Sequence, residues 1–408
     1  MRIAVIGGVA SGMAAALAAA KNPNVTVELF ERQSRVGRKL QATGNGRCNL
    51  TNMHACAEGY HGEEPGFSKA ALCAMNPDST LAWFRKLGLF TVEEPSGRVY
   101  PYSDQANSVV DVLRFALEKP NIHLHLGTEV QKIRRTGEVF TVESAEDKYA
   151  FDKVIIACGG LAGTKLGGSM SGYKLLTKLG HKCTRLRPAL VQLKCSWSGV
   201  SALKGVRANC NAKILCSGAL HMESTGELQF TEYGLSGPVI FEVSRDACVG
   251  TGEWTCRLDF LPQMSENMLY LELLNRKNRC LPADELLTGI LHNRLGRTLI
   301  KAAGIKSTDS MNMLNEQEIR TVCNLVKSFD ITITEPLGMD AAQVTAGGIV
   351  TKDFNPVTME SYLIPGLYAC GEVLDIDGDC GGYNLQWAWS SGYCAGSDAG
   401  RSNYDSNS

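Results

Sequence analysis

Residues 2–31, RIAVIGGVASGMAAALAAAKNPNVTVELFE, read as a strand, a glycine turn, a helix and a second strand closed by an acid. The apolar run Arg2 to Ile6 stops at glycine, as a buried strand does, and the alanine-rich run Met13 to Lys21 suits a helix. Gly7, Gly8 and Gly12 permit the tight turn between them. That turn presents the backbone of Gly7, Gly8, Val9, Ala10, Ser11 and Gly12 at a helix start, where N–H groups and the helix dipole hold a pyrophosphate. The second strand, Val25 to Phe30, delivers Glu31 to a ribose hydroxyl, 19 positions beyond Gly12. Val9 stands where the G-x-G-x-x-G fingerprint has its middle glycine, and its Cβ is expected to crowd the phosphates. An export signal is not the reading, because Gly7, Gly8, Ser11 and Gly12 interrupt the apolar stretch.

A complementary segment lies near the other end of the chain, at residues 371–392, GEVLDIDGDCGGYNLQWAWSSG. Glu372 follows a short apolar strand that ends at Gly371, so its carboxylate is placed to accept bonds from ribityl or ribose hydroxyls. Gly381 to Gln386 open a helix beside Asn384 and Leu385. N–H groups at such a helix start face the O2 and N1 edge of a flavin, where negative charge develops on reduction. Recognition elements at both ends of an elongated dinucleotide favour FAD over NAD.

The formal charge of -1 and pI near 6.7 give no electrostatic case for nucleic acid or an anionic membrane surface. No apolar run approaches the ~18 residues of a membrane span. A soluble, cytoplasmic protein acting on a small molecule is expected, with no signal of oligomeric state. The 15 cysteines are odd in number and scattered from Cys48 to Cys394, the pattern of free thiols in a reducing compartment. No C-x-x-C and no H-x-x-x-H occurs, so no metal is expected. G-x-S-x-G is absent as well, which leaves a serine hydrolase without support.

With 408 residues the chain is long enough for two or three domains. Asn107 to Glu118 is read as a helix, Thr128 to Ile133 as a strand paired with Phe140 to Glu143, and Lys153 to Ala157 as a further strand. From Pro188 the pattern becomes short alternating strands, such as Ala208 to Cys216 and Gly226 to Thr231. Between Ser265 and Phe329 it turns helical, with Leu269, Leu273 and Leu274, then Ile319, Val322, Cys323 and Val326, on single faces. Strand and glycine patterns return at Gln343 to Gly348 and Leu367 to Gly371. These shifts predict a discontinuous doubly wound α/β domain, residues 1–187 and 341–408, for the flavin. An inserted β domain is expected at 188–264 and 327–340, and a helical subdomain at 265–326. The aperiodic tail RSNYDSNS is expected to be disordered.

The loop GRKLQATGNGRCNLTN at 37–52 reads as too polar for core. Its basic side chains can reach a pyrophosphate, or Arg47 can hold an anionic substrate group against the flavin. Tyr100, Tyr102, Tyr233 and Tyr383 lie in polar surroundings suited to a proton donor, so the catalytic candidates are Arg47, Tyr100 and Tyr383. Gly159, Gly160 and Gly163 follow a strand but lack a clear helix and acidic strand after them. NADH or NADPH is therefore expected to dock transiently as electron donor rather than own a nucleotide domain. Cys380 reads as a small thiol beside a glycine turn.

The chain resembles the BaiN-type FAD-dependent oxidoreductases over nearly its whole length. The most specific stretches are the 37–52 loop, GRVYPYSDQA at 97–106, ELQFTEYGLSGPVIFEVSR at 227–245, AQVTAGGIVTKDFNPVTMES at 342–361, and 371–392. The resemblance implies a glutathione-reductase-like FAD domain carrying a β-barrel-like insert and a helical subdomain. It also implies FAD contacts from the first glycine turn, Glu31 and Arg32, and from Arg38, Lys39, Leu40, Gly44 and Asn45. Val130, Ala157, Gly159 and the segment Gly371, Glu372, Asn384 and Leu385 complete the implied set. The activity implied is NAD(P)H-linked reduction of a 3-oxo-Δ4 or Δ4,6 bile-acid or steroid-like substrate by hydride from flavin N5. Two other readings stand beside it, a flavin-dependent amine or aminoketone oxidase and an FAD-containing protein that modifies or binds RNA.

Overall fold

The computed structural model describes residues 1–401, so the tail read as disordered lies outside the described residues except for Arg401. The chain divides into two compact units, Met1–Arg187 with Val344–Ser408, and Pro188–Gln343.

In the first unit the strand β1 (Arg2–Ile6) leads through the turn to helix α1 (Ala10–Ala19) and strand β2 (Thr26–Glu31). Helix α2 (Ala106–Ala116) precedes β3 (Ile122–Leu126), and an antiparallel meander, β4 (Lys132–Thr136), β5 (Val139–Glu143) and β6 (Lys148–Phe151), leads to β7 (Lys153–Ile156). The chain returns late for β8 (Leu367–Ala369) and the long helix α3 (Tyr383–Ala399). The parallel sheet runs β8-β7-β1-β2-β3, with Val5 beside Ile155 on one side and Leu29 on the other. Ile3, Ala4 and Val5 are fully buried, as a strand covered on both faces requires.

Helix α1 is buried all round, and its small side chains let α3 approach at backbone distance. A Cβ added to Gly392, Gly396 or Gly400 would lie 2.3, 2.1 or 2.8 Å from the carbonyl oxygens of Ser11, Ala15 and Ala19. The four-residue spacing puts all three glycines on one ridge of α3 and their three partners on one ridge of α1.

Three sequence expectations shift. Helix α1 begins at Ala10 rather than Met13, because Val9 takes the extended conformation of an N-cap. The strand expected at Thr128 to Ile133 begins at Lys132, since the Thr128 N–H is spent on the Glu31 carbonyl at 3.0 Å. The 37–52 loop is not solvated throughout: Leu40, Cys48, Asn49, Leu50, Thr51 and Asn52 are buried. Polar residues survive burial there by pairing with the far end of the chain, as Thr51 Oγ1 does with Gln386 Oε1 at 2.5 Å and Asn52 Nδ2 with the Gly381 carbonyl at 2.9 Å.

The second unit contains a closed antiparallel barrel. Its strands follow the order Leu193–Cys195, Gly234–Ser236, Ala219–Phe230, Arg207–Cys216, Trp254–Asp259 and Phe329–Pro336. Cys210, Ala212 and Ile214 alternate into its core. Helix Pro238–Val249 packs against these strands and was not anticipated, because its valines and isoleucine favour strand. Proline at its first position after Gly237 was the readable start signal. Helices Glu266–Arg276, Asn293–Ala302 and Glu316–Lys327 complete the unit, the last begun by a capping box between Asn315 and Glu318. Among the described residues no helix is long and apolar enough to cross a membrane.

His181, in the first unit, is buried against the Phe354 ring at 4.5 Å, with Ser361 Oγ 3.1 Å from its Nε2 and Asp353 3.7 Å from its Nδ1. Burial outweighs the carboxylate and lowers its pKa. The folded state therefore resists protonation that the unfolded chain accepts, so stability is full above about pH 6.5 and declines as the pH falls through the depressed value. Urea unfolding at pH 7 and pH 5 checks this, with a shallower decline expected for His181→Asn. For the helix contact, Gly396→Val should cost about 3 kcal/mol or more, as overpacking does, while Gly66→Ala, where an added Cβ meets nothing within 4 Å, should leave the urea midpoint unchanged.

Candidate functional site

The turn after β1 is fixed by backbone contacts. Gly7 has φ +111°, donates to the Phe30 carbonyl at 2.8 Å, and would place a Cβ 2.4 Å from the Ala157 carbonyl oxygen. At Gly12 a Cβ would lie 1.8 Å from the Gly7 carbonyl oxygen. Val9 adopts φ −109°, a backbone conformation open to any residue, and its side chain packs on the apolar core. The first-turn N–H groups of α1 have no intrahelical partner. No side chain caps them and no acid stands in that turn, although Ala10 and Ser11 are buried.

Glu31, also buried, closes the turn from the other side. Its Oε2 accepts the Gly8 N–H and its Oε1 the Gln33 N–H, both at 2.8 Å. Arg38 donates to Gln33 at 2.6 Å, and Arg32 to the Gly167 carbonyl at 2.6 Å. Val130 and Ala157 are buried beneath, while a Cβ added to Gly159 would meet nothing within 4 Å, so the end of β7 looks onto open space.

Glu372 and Lys39, far apart in sequence, form an ion pair of 2.8 Å. The other carboxylate oxygen accepts the Thr345 N–H at 2.9 Å, and a Cβ added to Gly160 would lie 2.3 Å from it. Thr345 and Gly160 were missed as site partners; their signal lay in the AGG and CGG strand ends. Gly371 abuts the Ser11 hydroxyl, which joins this cluster to the first turn.

At the start of α3, Asn384 spends its amide on Gly378, accepting at 2.9 Å and donating at 2.7 Å. Leu385 packs on the core. The helix start itself has Gly382 as N-cap, no capping side chain and no acid in its first turn.

Two of the three catalytic candidates meet. The Arg47 guanidinium lies 3.9 Å above the Tyr100 ring, bonded to Asp104 at 2.5 Å and Glu94 at 2.9 Å. Two carboxylates thus already satisfy the cation expected to hold an anionic substrate. Beside them, Gly44 approaches the Tyr100 ring, and Asn45 is exposed with φ 55°. Burial, then the Glu94 charge, raises the Tyr100 pKa, so its phenol stays protonated at neutral pH. Tyr383 donates to the His54 carbonyl at 3.3 Å. Burial likewise pushes Cys158 and Cys370 up to about 12, which keeps both as thiols.

In a double-mutant cycle, Lys39→Met and Glu372→Gln should couple by about 1 kcal/mol in urea unfolding, a modest value because both side chains keep some solvent contact. Additive effects would mean that the pair does not hold the strand ends together.

The model of the HI0933-like protein Rossmann domain matches residues 1–398. A 3-dehydro-bile acid delta(4,6)-reductase from Clostridium scindens is 39% identical over 97% of this chain and 98% of its own. A ribosomal RNA dihydrouridine synthase from Escherichia coli is 29% identical over 97% of this chain and 96% of its own. Among solved structures, the open conformation of a flavocytochrome c3 fumarate reductase aligns with a TM-score of 0.48 at 17% identity, covering 98% of this chain and 78% of that one.

Proposed function

The chain belongs to the HI0933-like family and is an FAD-dependent oxidoreductase, and from that premise we propose that it reduces carbon–carbon double bonds conjugated to a carbonyl. The substrate class we infer is a 3-oxo-Δ4 or Δ4,6 bile-acid or steroid-like small molecule, with NADH or NADPH as transient donor. The observation that carries this reading is the 39% identity to a bile-acid reductase along almost the whole of both chains.

The residues present suit FAD. The buried, uncapped start of α1 offers donors to a pyrophosphate, Glu31 keeps acceptor capacity for ribose hydroxyls, and Glu372 keeps it for the ribityl chain. Arg32, Arg38, Leu40, Val130, Ala157 and Gly159 are the further residues this reading assigns to FAD, while Asn384, bonded to Gly378, and Leu385 lie in the first turn of α3. Bound FAD supplies hydride chemistry. The chain's own contribution is to orient the substrate carbonyl, exclude water and supply a proton to the carbon next to that carbonyl. Tyr100, held protonated, is the candidate for that proton, with Arg47 and Glu94 fixing its ring. Among the described residues there is one multistranded parallel sheet, which supports a nicotinamide that docks without a domain of its own. The fifteen free thiols support a reducing, cytoplasmic setting.

A second reading follows from the dihydrouridine synthase relative. Dihydrouridine is uridine with its 5,6 double bond saturated, and that bond too is conjugated to a carbonyl, so one chemistry serves both substrates.

The test is anaerobic reduction of the flavin with NADH or NADPH, followed by a 3-oxo-Δ4,6-steroid or an rRNA transcript in separate mixings. Fast flavin reoxidation by the dienone is expected. Reoxidation by the RNA with dihydrouridine formed would move the assignment to the second reading, and oxygen-dependent amine turnover alone would make the protein an oxidase. Glu372→Ala should weaken FAD binding by about 1 to 3 kcal/mol, the worth of a charged hydrogen bond. Unchanged affinity in an equilibrium titration would make Glu372 purely a partner of Lys39.

A further inference from the structure

Within the buried part of the 37–52 loop, Thr51 and Asn52 have hydrogen-bond partners and Asn49 does not. Asn49 is nine-tenths buried, and its Oδ1 is sealed from solvent with no partner. Such an orphan is costly in a folded protein and calls for an explanation. Its surroundings supply one. A Cβ added to Gly382, the N-cap of α3, would lie 3.0 Å from Asn49 Oδ1 and 2.5 Å from the Thr51 carbonyl oxygen. The orphaned amide therefore sits against the start of a 17-residue helix that no side chain caps and no first-turn acid neutralises.

A helix start offers donors, whereas Asn49 offers an acceptor. A phosphate or carboxylate would satisfy the first and leave the second unpaired. An imide, with C=O and N–H side by side, satisfies both. Half a turn about the last side-chain bond interchanges the carboxamide oxygen and nitrogen, so the acceptor is available at either of their positions. We propose that Asn49 accepts the N3–H of the FAD ring system, while first-turn N–H groups of α3 donate to the adjacent ring carbonyl. The inference rests on the FAD reading above. It assigns a role to a residue that neither the glycine fingerprint nor the acid-and-glycine segment marks. Uracil carries the same imide edge, so the probe must separate cofactor from substrate.

The full-length protein, freed of flavin, is titrated with FAD and with 3-methyl-FAD, which lacks the N3–H, for the unchanged chain and for Asn49→Leu. FAD should bind the unchanged protein about tenfold tighter than its methylated analogue, the size of one net hydrogen bond. Asn49→Leu should bind both alike, with its FAD affinity lowered by about the same factor. The flavin-free variant should melt at the same temperature or higher, because Asn49 Oδ1 has no partner in the fold to lose. Equal binding of both flavins by the unchanged protein overturns the assignment and leaves uracil as the imide. Discrimination that survives in Asn49→Leu overturns it in favour of steric exclusion, and a clearly lower melting temperature overturns it in favour of a structural role. Failure of the unchanged protein to take up either flavin overturns the cofactor reading along with it.

Discussion

The first unit depends on two helices touching through their backbones. Gly392, Gly396 and Gly400 face Ser11, Ala15 and Ala19, and the built Cβ distances of 2.1 to 2.8 Å leave no room for a side chain between them. That contact locks the C-terminal helix over the first one. It carries Gly371 against Ser11, and a bond from the Trp387 indole to the Gly371 carbonyl at 3.1 Å continues the connection. The turn after β1 and the strand end bearing Glu372 are thereby held at one place, though they come from opposite ends of the chain.

Around that place several charged side chains neutralise one another. Lys39 answers Glu372, and Arg47 answers Glu94 and Asp104. Glu31 is held by backbone N–H groups. Beside Arg32 and Arg38, whose hydrogen-bond partners are neutral, a ligand meets a set of fixed dipoles: the uncapped starts of α1 and α3 and the strand ends beside them. Fixed dipoles need no reorganisation when a ligand arrives, and they favour a long, polar molecule that meets several of them in turn.

Local pattern made the strand–turn–helix–strand opening legible, because β1, α1 and β2 are set by apolar runs and by glycines that admit no alternative. The acid after β8 and the helix start that follows were legible for the same reason. Partners distant in sequence were not. Nothing near Lys39 announces Glu372, and nothing near Thr51 announces Gln386, so a loop rich in polar residues looked solvated when half of it is buried. The helix Pro238–Val249 was hidden by strand-favouring side chains that its packing on the barrel overrides. At Val9 the fingerprint records which residue is usual, while the backbone at φ −109° records that a side chain is allowed there.

The parallel sheet also sets a timetable. Strand β7 ends at Ile156, yet its outer neighbour β8 begins at Leu367, and the helix that covers α1 comes later still. At ribosomal rates of ~5 to 20 residues per second, β7 waits roughly 10 to 40 s after synthesis with an unpaired edge, and α1 with an apolar face uncovered. The residues in between have time to fold while the nascent first half is still incomplete. Until α3 emerges, the edge of β7 and the uncovered face of α1 are thus the surfaces of the first unit open to wrong contacts during synthesis.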